Sequence, residues 1–216
     1  MKKILIVGSC FAVVLTGFSS YSMNIKPFVG GNLAVNGVVW ADDVKDPMDA
    51  AGIDLPTSLF GIGFEAGVKF NRENMYIPAL TVAYDYMFNS EADIDAVTKP
   101  NISSFDAGFS AISVTFDNYL RVSGNSRHRQ DIILGIGLGS ATERVTMKTT
   151  SLGKANGYAD IDEDENGTIF IFKIGYNYQI SNHVDWYLNG RWFFPTESKR
   201  DIESLFNMNA GIRFLF

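Results

Sequence analysis

The chain has 216 residues, of which 46% are hydrophobic and 19% charged, and its formal net charge is -6 at pH 7. This acidic balance argues against a nucleic-acid partner, because a phosphate backbone is bound by a basic surface. The composition otherwise fits an ordinary globular domain, so fold and function have to be read from the pattern of residues along the chain.

The N-terminal stretch MKKILIVGSCFAVVLTGFSSYSM is typical of a secretory signal peptide. Two lysines precede an apolar run that ends near Phe18, and small polar residues follow. The run contains polar residues and is shorter than the roughly 20 apolar residues of a membrane-spanning helix. We predict that residues 1–22 are removed after Ser22. Lipoprotein-type cleavage at Cys10 is the alternative, but it would leave a very short hydrophobic region before the cysteine.

Cleavage after residue 22 takes 22 of the 216 residues and predicts a mature domain, 23–216, of 194 residues. The loss of two lysines takes its net charge from -6 to -8. Cys10 is the only cysteine, so the mature domain is predicted to have neither a disulfide nor a thiol nucleophile. No later window approaches 18 consecutive apolar residues, and no transmembrane helix is predicted.

The mature sequence instead alternates with period two, as β-strands do. In TIFIFKIGYNYQI, for example, Phe170, Phe172 and Ile174 alternate with Ile171 and Lys173. Eight segments with this pattern are predicted as strands, at roughly 25–36, 58–70, 75–88, 104–122, 131–147, 168–180, 185–194 and 206–216. Strands of soluble proteins are typically about five or six residues long, whereas a tilted strand that crosses a bilayer needs about 9–11.

The connections between these strands alternate between long and short. The long ones are 37–57, 89–103, 148–167 and 195–205, and the short ones are 71–74, 123–130 and 181–184. Short turns at one end and long loops at the other are typical of an up-and-down barrel that crosses a membrane.

The two faces of the strands distinguish a membrane barrel from a soluble one. On the second strand, glycine and charged residues such as Gly63 and Glu65 alternate with bulky residues such as Ile62 and Phe64. Since the interior of an eight-stranded barrel is narrow, the small and charged face is predicted to point inward and the bulky face toward lipid. The predicted fold is all-β, a closed antiparallel eight-stranded up-and-down transmembrane β-barrel.

Aromatic residues are predicted to form a girdle at each membrane interface. The short-turn girdle would contain Tyr119, Tyr176, Tyr178 and Trp186, and the long-loop girdle Tyr86, Phe88, Trp192 and Phe194. Two residues fit the pattern poorly, because Asn118 falls on the lipid-facing side and Pro78 removes a ladder hydrogen bond. A bulge or register change is expected near one of them.

Nine charged residues of mixed sign share the inward parity and are predicted to form a polar network in the lumen: Glu65, Lys69, Asp85, Asp117, Arg121, Glu143, Lys173, Arg191 and Arg213. Buried charges require partners, so we expect salt bridges and hydrogen bonds across the lumen. A narrow conducting path through the same residues is the alternative.

The C-terminal stretch NAGIRFLF resembles the C-terminal signal of bacterial outer-membrane proteins, through Asn209, Gly211, Phe214 and Phe216. With the signal peptide and eight strands, the chain resembles the small outer-membrane β-barrels of the OmpA/OmpX type. This resemblance implies a location in the outer membrane of a Gram-negative bacterium, contact with outer-membrane lipid and insertion by the barrel-assembly machinery. The last strand would then pair with the first, so that lipid meets no unpaired edge.

Two other motifs are weak. GIGFEAG, at 61–67, resembles a nucleotide-binding glycine pattern, but no helix pattern follows it, and alternate glycines suit a lumen face better. DIDEDENG, at 160–167, resembles the start of an EF-hand, but Glu165 and Ile171 stand where glycine and the bidentate glutamate are needed. A solvated acidic loop tip is expected there, with loose divalent-cation binding as the alternative. We predict no cofactor and no metal site.

Three functions remain open at this stage. A non-enzymatic barrel with a structural or adhesion role is favoured, with a narrow channel and a lipid-modifying enzyme as the alternatives. Both histidines, His128 and His183, fall in short turns, whereas enzymes on barrels of this kind work at the opposite end. The long connections 37–57 and 148–167 are the candidate contact surfaces for a partner, although 37–57 would equally suit a small folded cap.

Overall fold

The computed structural model describes residues 25–50, 55–70, 75–88, 101–124, 128–196 and 201–216. The predicted signal peptide, 1–22, therefore lies outside the described residues. Within them are eight strands, β1 (Ile25–Trp40), β2 (Ser58–Phe70), β3 (Tyr76–Phe88), β4 (Ile102–Ser123), β5 (Gln130–Thr149), β6 (Ile161–Ser181), β7 (Val184–Pro195) and β8 (Ile202–Leu215). Two helices, α1 (Asp42–Ala50) and α2 (Ser151–Ala155), lie between them.

The strands form a closed antiparallel barrel in which each strand pairs with its neighbours in the chain and β8 pairs with β1. The predicted fold class is therefore confirmed. Because the barrel is closed, β1 is hydrogen-bonded on both sides. Its ladder with β8 begins at the Phe28–Leu215 pair, and its ladder with β2 begins at the Ile25–Phe70 pair. Neither helix among the described residues is long and apolar enough to cross a membrane.

The outer surface of the barrel carries a continuous belt of exposed apolar side chains. Leu33 is 72% exposed, Phe64 63% and Leu138 60%, and similar side chains occur on all eight strands. Monomeric soluble proteins rarely expose contiguous apolar patches larger than a few hundred Å². The belt is therefore suited to contact with lipid hydrocarbon, as the alternation of the strands predicts.

Strands β4, β5 and β6 are longer than predicted at their loop ends. Met147 pairs with Ile161, and Thr149 pairs with Ile102. The connection predicted at 148–167 is consequently reduced to 150–160, and most of the acidic stretch within it belongs to β6. By contrast, β3 ends at Phe88, opposite Gly108 of β4. These three strands thus form a sheet that extends beyond their neighbours, which we call the protruding sheet (102–107, 142–149 and 161–168).

A bulge or register change was expected near Asn118 or Pro78, and neither residue itself lies at one. These two residues pair with each other in regular register, and the irregularities of β4 lie between Ile102 and Ser104 and between Arg121 and Ser123. Asn118 is accommodated because its side-chain oxygen accepts a hydrogen bond from the Tyr76 hydroxyl. The β2–β3 ladder ends with Ala79, so Pro78 interrupts no pairing with β2.

Candidate functional site

The lumen of the barrel is divided along its axis into an ionic core and an apolar core. The ionic core consists of four ion pairs in the part of the barrel nearer the short turns: Lys69–Asp185, Glu65–Arg213, Asp117–Lys173 and Asp85–Arg191. No side chain in these pairs is more than 5% exposed. Because each buried charge faces an opposite one, the cost of removing it from water is offset.

Two of these pairs are extended by neutral hydrogen-bonding groups. The Arg191 guanidinium binds both carboxylate oxygens of Asp85, with Nη1–Oδ2 and Nη2–Oδ1 distances of 2.8 and 2.6 Å, and its Nε donates to Asn207. The Lys173 ammonium donates to Asp117 at 2.7 Å, and the Thr81 hydroxyl donates to the same carboxylate oxygen at 2.8 Å. These bidentate and shared contacts fix the side chains at the centre of the barrel.

The other two pairs lie against aromatic rings. Arg213 binds Glu65, and its guanidinium carbon lies 3.9 Å from the centre of the Tyr187 ring. The Lys69 ammonium donates to Asp185 at 2.6 Å and lies 4.1 Å from the centre of the Tyr119 ring. Each cation therefore has a carboxylate and an aromatic face as partners.

The Tyr119 ring corrects one prediction. It was expected in the short-turn aromatic girdle, but its side chain is fully buried and faces the lumen. The physical reason is strand parity, because Tyr119 has the same parity as Asp117 on β4. Tyr176 and Trp186 do lie on the outer surface, with ring centres 6.4 Å apart in an edge-on contact.

Seven of the nine predicted lumen residues form, together with Asp185, the four ion pairs of the ionic core. The other two lie elsewhere: Arg121 is partly buried at the short-turn end, and Glu143 is buried opposite Phe109, at the level of the apolar core. Asp185, the partner of Lys69, was missed, although it has the same inward parity as Arg191. A second missed pair, Arg129–Asp131, is buried beside the β4–β5 turn.

The apolar core fills the loop-side part of the barrel, beyond the predicted polar network. It is formed by buried residues from all eight strands and the first loop: Val38, Trp40, Leu55, Leu59, Met87, Ile102, Phe105, Ala107, Phe109, Ala111, Ala141, Met147, Ile169, Ile171, Phe193, Ile202 and Leu205. At this end the barrel continues past the lipid belt. Outside the bilayer the outer face meets water, and the apolar side chains pack inward.

The connection predicted at 37–57 closes this end of the barrel, as far as it is described. Trp40 is buried and donates from its indole nitrogen to the Pro56 carbonyl at 2.8 Å. Val44 and Met48 of α1 pack against the apolar core. The start of α1 is tied to the start of β8, because the Ala41 amide donates to the Asp201 carbonyl at 2.8 Å.

The acidic stretch 160–167 has no EF-hand loop, because β6 begins at Ile161. The exposed Asp164 is bound by Arg144, whose hydrogen bond lowers the pKa of the carboxyl group. Asp160 accepts hydrogen bonds from Lys154 and Thr149, which lower its pKa. The acidic residues are exposed, as expected, but most of them lie in a strand and not at a loop tip. Within the described residues, no group of three or more His, Cys, Asp or Glu side chains is arranged to hold a metal ion.

The four residues of the C-terminal motif fall on both faces of β8. Asn209 is buried inside, whereas Phe214 and Phe216 are exposed on the outer surface. The Phe216 amide donates to the Pro27 carbonyl at 3.0 Å, and the Leu215 amide to the His183 carbonyl at 2.8 Å. The end of β8 is thus hydrogen-bonded on both sides.

Comparisons with known proteins identify the fold. No family model matches the chain, and no curated protein matches it. Among solved structures, Ail, the attachment invasion locus protein of Yersinia pestis, superposes with a TM-score of 0.50 and 13% identity, over 88% of this chain and 98% of Ail. The chain is an eight-stranded barrel of the outer-membrane type.

Two further solved structures are similar at lower TM-scores. Neisserial surface protein A has a TM-score of 0.44 and 13% identity, over 91% of this chain and 100% of its own. The outer membrane enzyme PagL has a TM-score of 0.47 and 10% identity, over 86% of this chain and 97% of PagL. The apolar belt of this barrel fits contact with lipid.

Proposed function

We propose that this protein is a closed, non-enzymatic barrel of the outer membrane that presents a contact surface outside the cell. One observation carries the proposal: the protruding sheet continues beyond the lipid belt on a packed apolar core, with polar residues on its outer face. On β5 these outward residues are Ser140, Thr142, Arg144, Thr146 and Lys148. A sheet held rigidly above the membrane is suited to binding a partner at the cell surface.

The packing of the lumen supports a closed barrel. The ionic core has its charges paired, and the apolar core lies above it, so an ion would meet a second, uncharged barrier. Reconstitution in planar bilayers is expected to give no defined single-channel steps. Single-channel steps whose conductance changes in the variants Asp85→Asn and Arg191→Gln would instead support the channel hypothesis.

The positions of the two histidines support a non-enzymatic role. His128 follows the β4–β5 turn and stacks on Tyr178, and the His183 ring Nδ1 lies 3.2 Å from the Leu215 carbonyl oxygen. Both lie at the short-turn end, away from the protruding sheet. Mass spectrometry of lipid A from cells with and without the protein is expected to give the same species. A modified lipid A found only with the protein would favour an enzyme.

The contact role is tested on whole cells. Bacteria displaying the protein are expected to adhere more strongly to epithelial monolayers than bacteria displaying a variant in which residues 151–158 are replaced by a short Gly-Ser turn. The replacement leaves the barrel strands unchanged, so the variant should still fold. Altered gel mobility on boiling serves as the control for folding. Equal adhesion by folded protein, variant and empty cells would refute the role. The 37–57 connection, as a second candidate contact, is tested in the same assay by substituting the exposed acidic residues of α1.

Residues Asn209, Gly211, Phe214 and Phe216 are proposed to act as a signal for the barrel-assembly machinery. The two phenylalanines are exposed on the outer surface at the end of β8, where a partner can reach them, and this supports the role. Phe216→Ala is expected to slow insertion into the membrane while leaving the stability of the folded barrel nearly unchanged. A loss of stability equal to the loss of insertion would assign the ring a structural role.

A further inference from the structure

Within the described residues, the protruding sheet has an edge along β6 that pairs with no further strand. The β6–β7 ladder ends at the Ile169–Pro195 pair, and one further bond joins the Thr196 amide to the Thr168 carbonyl at 3.0 Å. Beyond this bond, β6 continues from Gly167 to Ile161, and within the described part of the chain its ladder there is with β5 alone. Open strand edges pair readily with other strands.

The backbone groups that point out of this edge can be assigned from the alternation of an antiparallel ladder. Thr168 directs its carbonyl toward β7, so every second residue before it does the same. Asn166, Asp164 and Asp162 therefore direct their amides and carbonyls to the open side, whereas the residues between them bond to β5. All three side chains are exposed.

The edge carries four successive exposed carboxylates, at residues 162–165. Asp164 is bound by Arg144, and Asp162 accepts a weak bond from Thr146 at 3.3 Å; both partners are on β5. Glu163 and Glu165 lie on the opposite face of β6, and their negative charges affect the pKa of Asp201. Burial raises the pKa of Asp201, and the charges of Glu165 and Glu163 raise it further, with a smaller contribution from Asp43. This corner of the molecule thus accumulates negative charge.

The charge decides which strand the edge accepts. A second copy of this chain would bring the same carboxylates against each other, and like charges on paired strands are destabilising. A strand with lysine or arginine would neutralise them and form the backbone ladder as well. We infer that the β6 edge at 161–168 binds an extended, basic polypeptide segment as an added strand. The inference rests on the proposed contact role and names the class of partner.

The test uses the full-length mature barrel in lipid nanodiscs and two labelled peptides. One peptide alternates lysine with threonine. The other has the same number of lysines but proline in place of threonine, so that it keeps the charge and cannot form a ladder. Fluorescence anisotropy is expected to show at least about tenfold tighter binding of the threonine peptide. Equal affinity for the two peptides would overturn strand addition.

Two variants separate the backbone from the charge. Asp164→Pro removes an amide that points out of the edge and breaks no backbone hydrogen bond to β5, although it also removes the ion pair with Arg144. It is expected to abolish the preference for the threonine peptide. The fourfold variant D162N, E163Q, D164N, E165Q is expected to lose peptide binding and to associate into dimers in sedimentation experiments, because its edge is open but uncharged. Unchanged peptide binding by either variant would refute the inference.

A control removes charge away from the edge, two carboxylates where the fourfold variant removes four. The variant D42N, D46N neutralises two exposed carboxylates of α1 and is expected to bind the threonine peptide as the parent does. An equal loss in this control would show that general acidity, not the edge, attracts the peptide. The contact role can fail separately from the inference. If the barrel binds the peptide in nanodiscs but cells that display it adhere no better than empty cells, only the contact role is refuted.

Discussion

The lipid belt and the protruding sheet are built from the same strands but distribute their side chains in opposite ways. On β5, the outward residues Ile132, Leu134, Ile136 and Leu138 are apolar, whereas the next outward residues from Ser140 to Lys148 are polar. Inside, the ionic core gives way to the apolar core at about the same height. The comparison shows that the surrounding solvent determines which face of a strand is apolar, while the strand itself continues without interruption.

The largest expected effect comes from breaking one ion pair of the ionic core. Arg213→Ala would leave Glu65 as a buried, uncompensated charge and is expected to lower the free energy of unfolding by about 4 kcal/mol. Urea unfolding in detergent micelles, followed by tryptophan fluorescence, measures this loss. In the double variant E65Q, R213M the charge is removed along with its partner, and the loss should be smaller. An equal loss in both would mean that pairing is unimportant there.

The apolar core is expected to respond to the loss of volume. Leu205→Ala removes buried methyl groups and should cost about 3 kcal/mol. Ile212→Ala on the same strand is the matched control, because its side chain faces outward and lipid can fill the space. Comparable losses for these two substitutions would contradict the division between a packed core and a lipid-facing belt.

A smaller effect is expected at Gly211, where β8 passes close to an inward aromatic ring. A Cβ atom there would lie 2.3 Å from the Gly31 carbonyl oxygen of β1 and 2.6 Å from the Cζ and Oη atoms of Tyr187. Gly211→Ala should therefore displace the ring on which Arg213 lies and cost about 2 kcal/mol. Combining it with Tyr187→Leu is expected to restore part of this loss. If the combined variant is no more stable than Gly211→Ala alone, steric conflict with the ring is not the cause.

The smallest effect concerns the acidic corner where α1 meets β8. The pKa of Asp201 is raised above 3.8 in the folded state, so the folded protein binds a proton more readily than the unfolded chain does. Local stability should increase as the pH falls from neutrality through the raised folded pKa toward the unfolded value. The protection factors of the α1 amides, which correct exchange rates for the intrinsic effect of pH, should accordingly increase on mild acidification. In Asp201→Asn this change should be weaker, and an unaltered pH response would exclude Asp201 as its source.

Much of the barrel could be predicted because a strand has only two faces. Parity alone placed Lys173, Arg191 and Arg213 inward, and it would have placed Tyr119 and Asp185 correctly had it been applied along the whole of each strand. The lengths of β5 and β6 could not be predicted in this way. Acidic residues in Asp160–Gly167 have low strand propensity, and only pairing with β5 keeps them extended.

The sequence by itself determined the eight strands, their alternation and the inside-out character of the lipid belt, because these depend on local periodicity. Only the tertiary structure decided which charges meet. Lys69 and Asp185 are separated by 116 residues, and Glu65 and Arg213 by 148, so their heights in the lumen depend on the register of every strand between them. The tertiary structure also decided the position of the apolar core, since this position follows from where the barrel leaves the membrane.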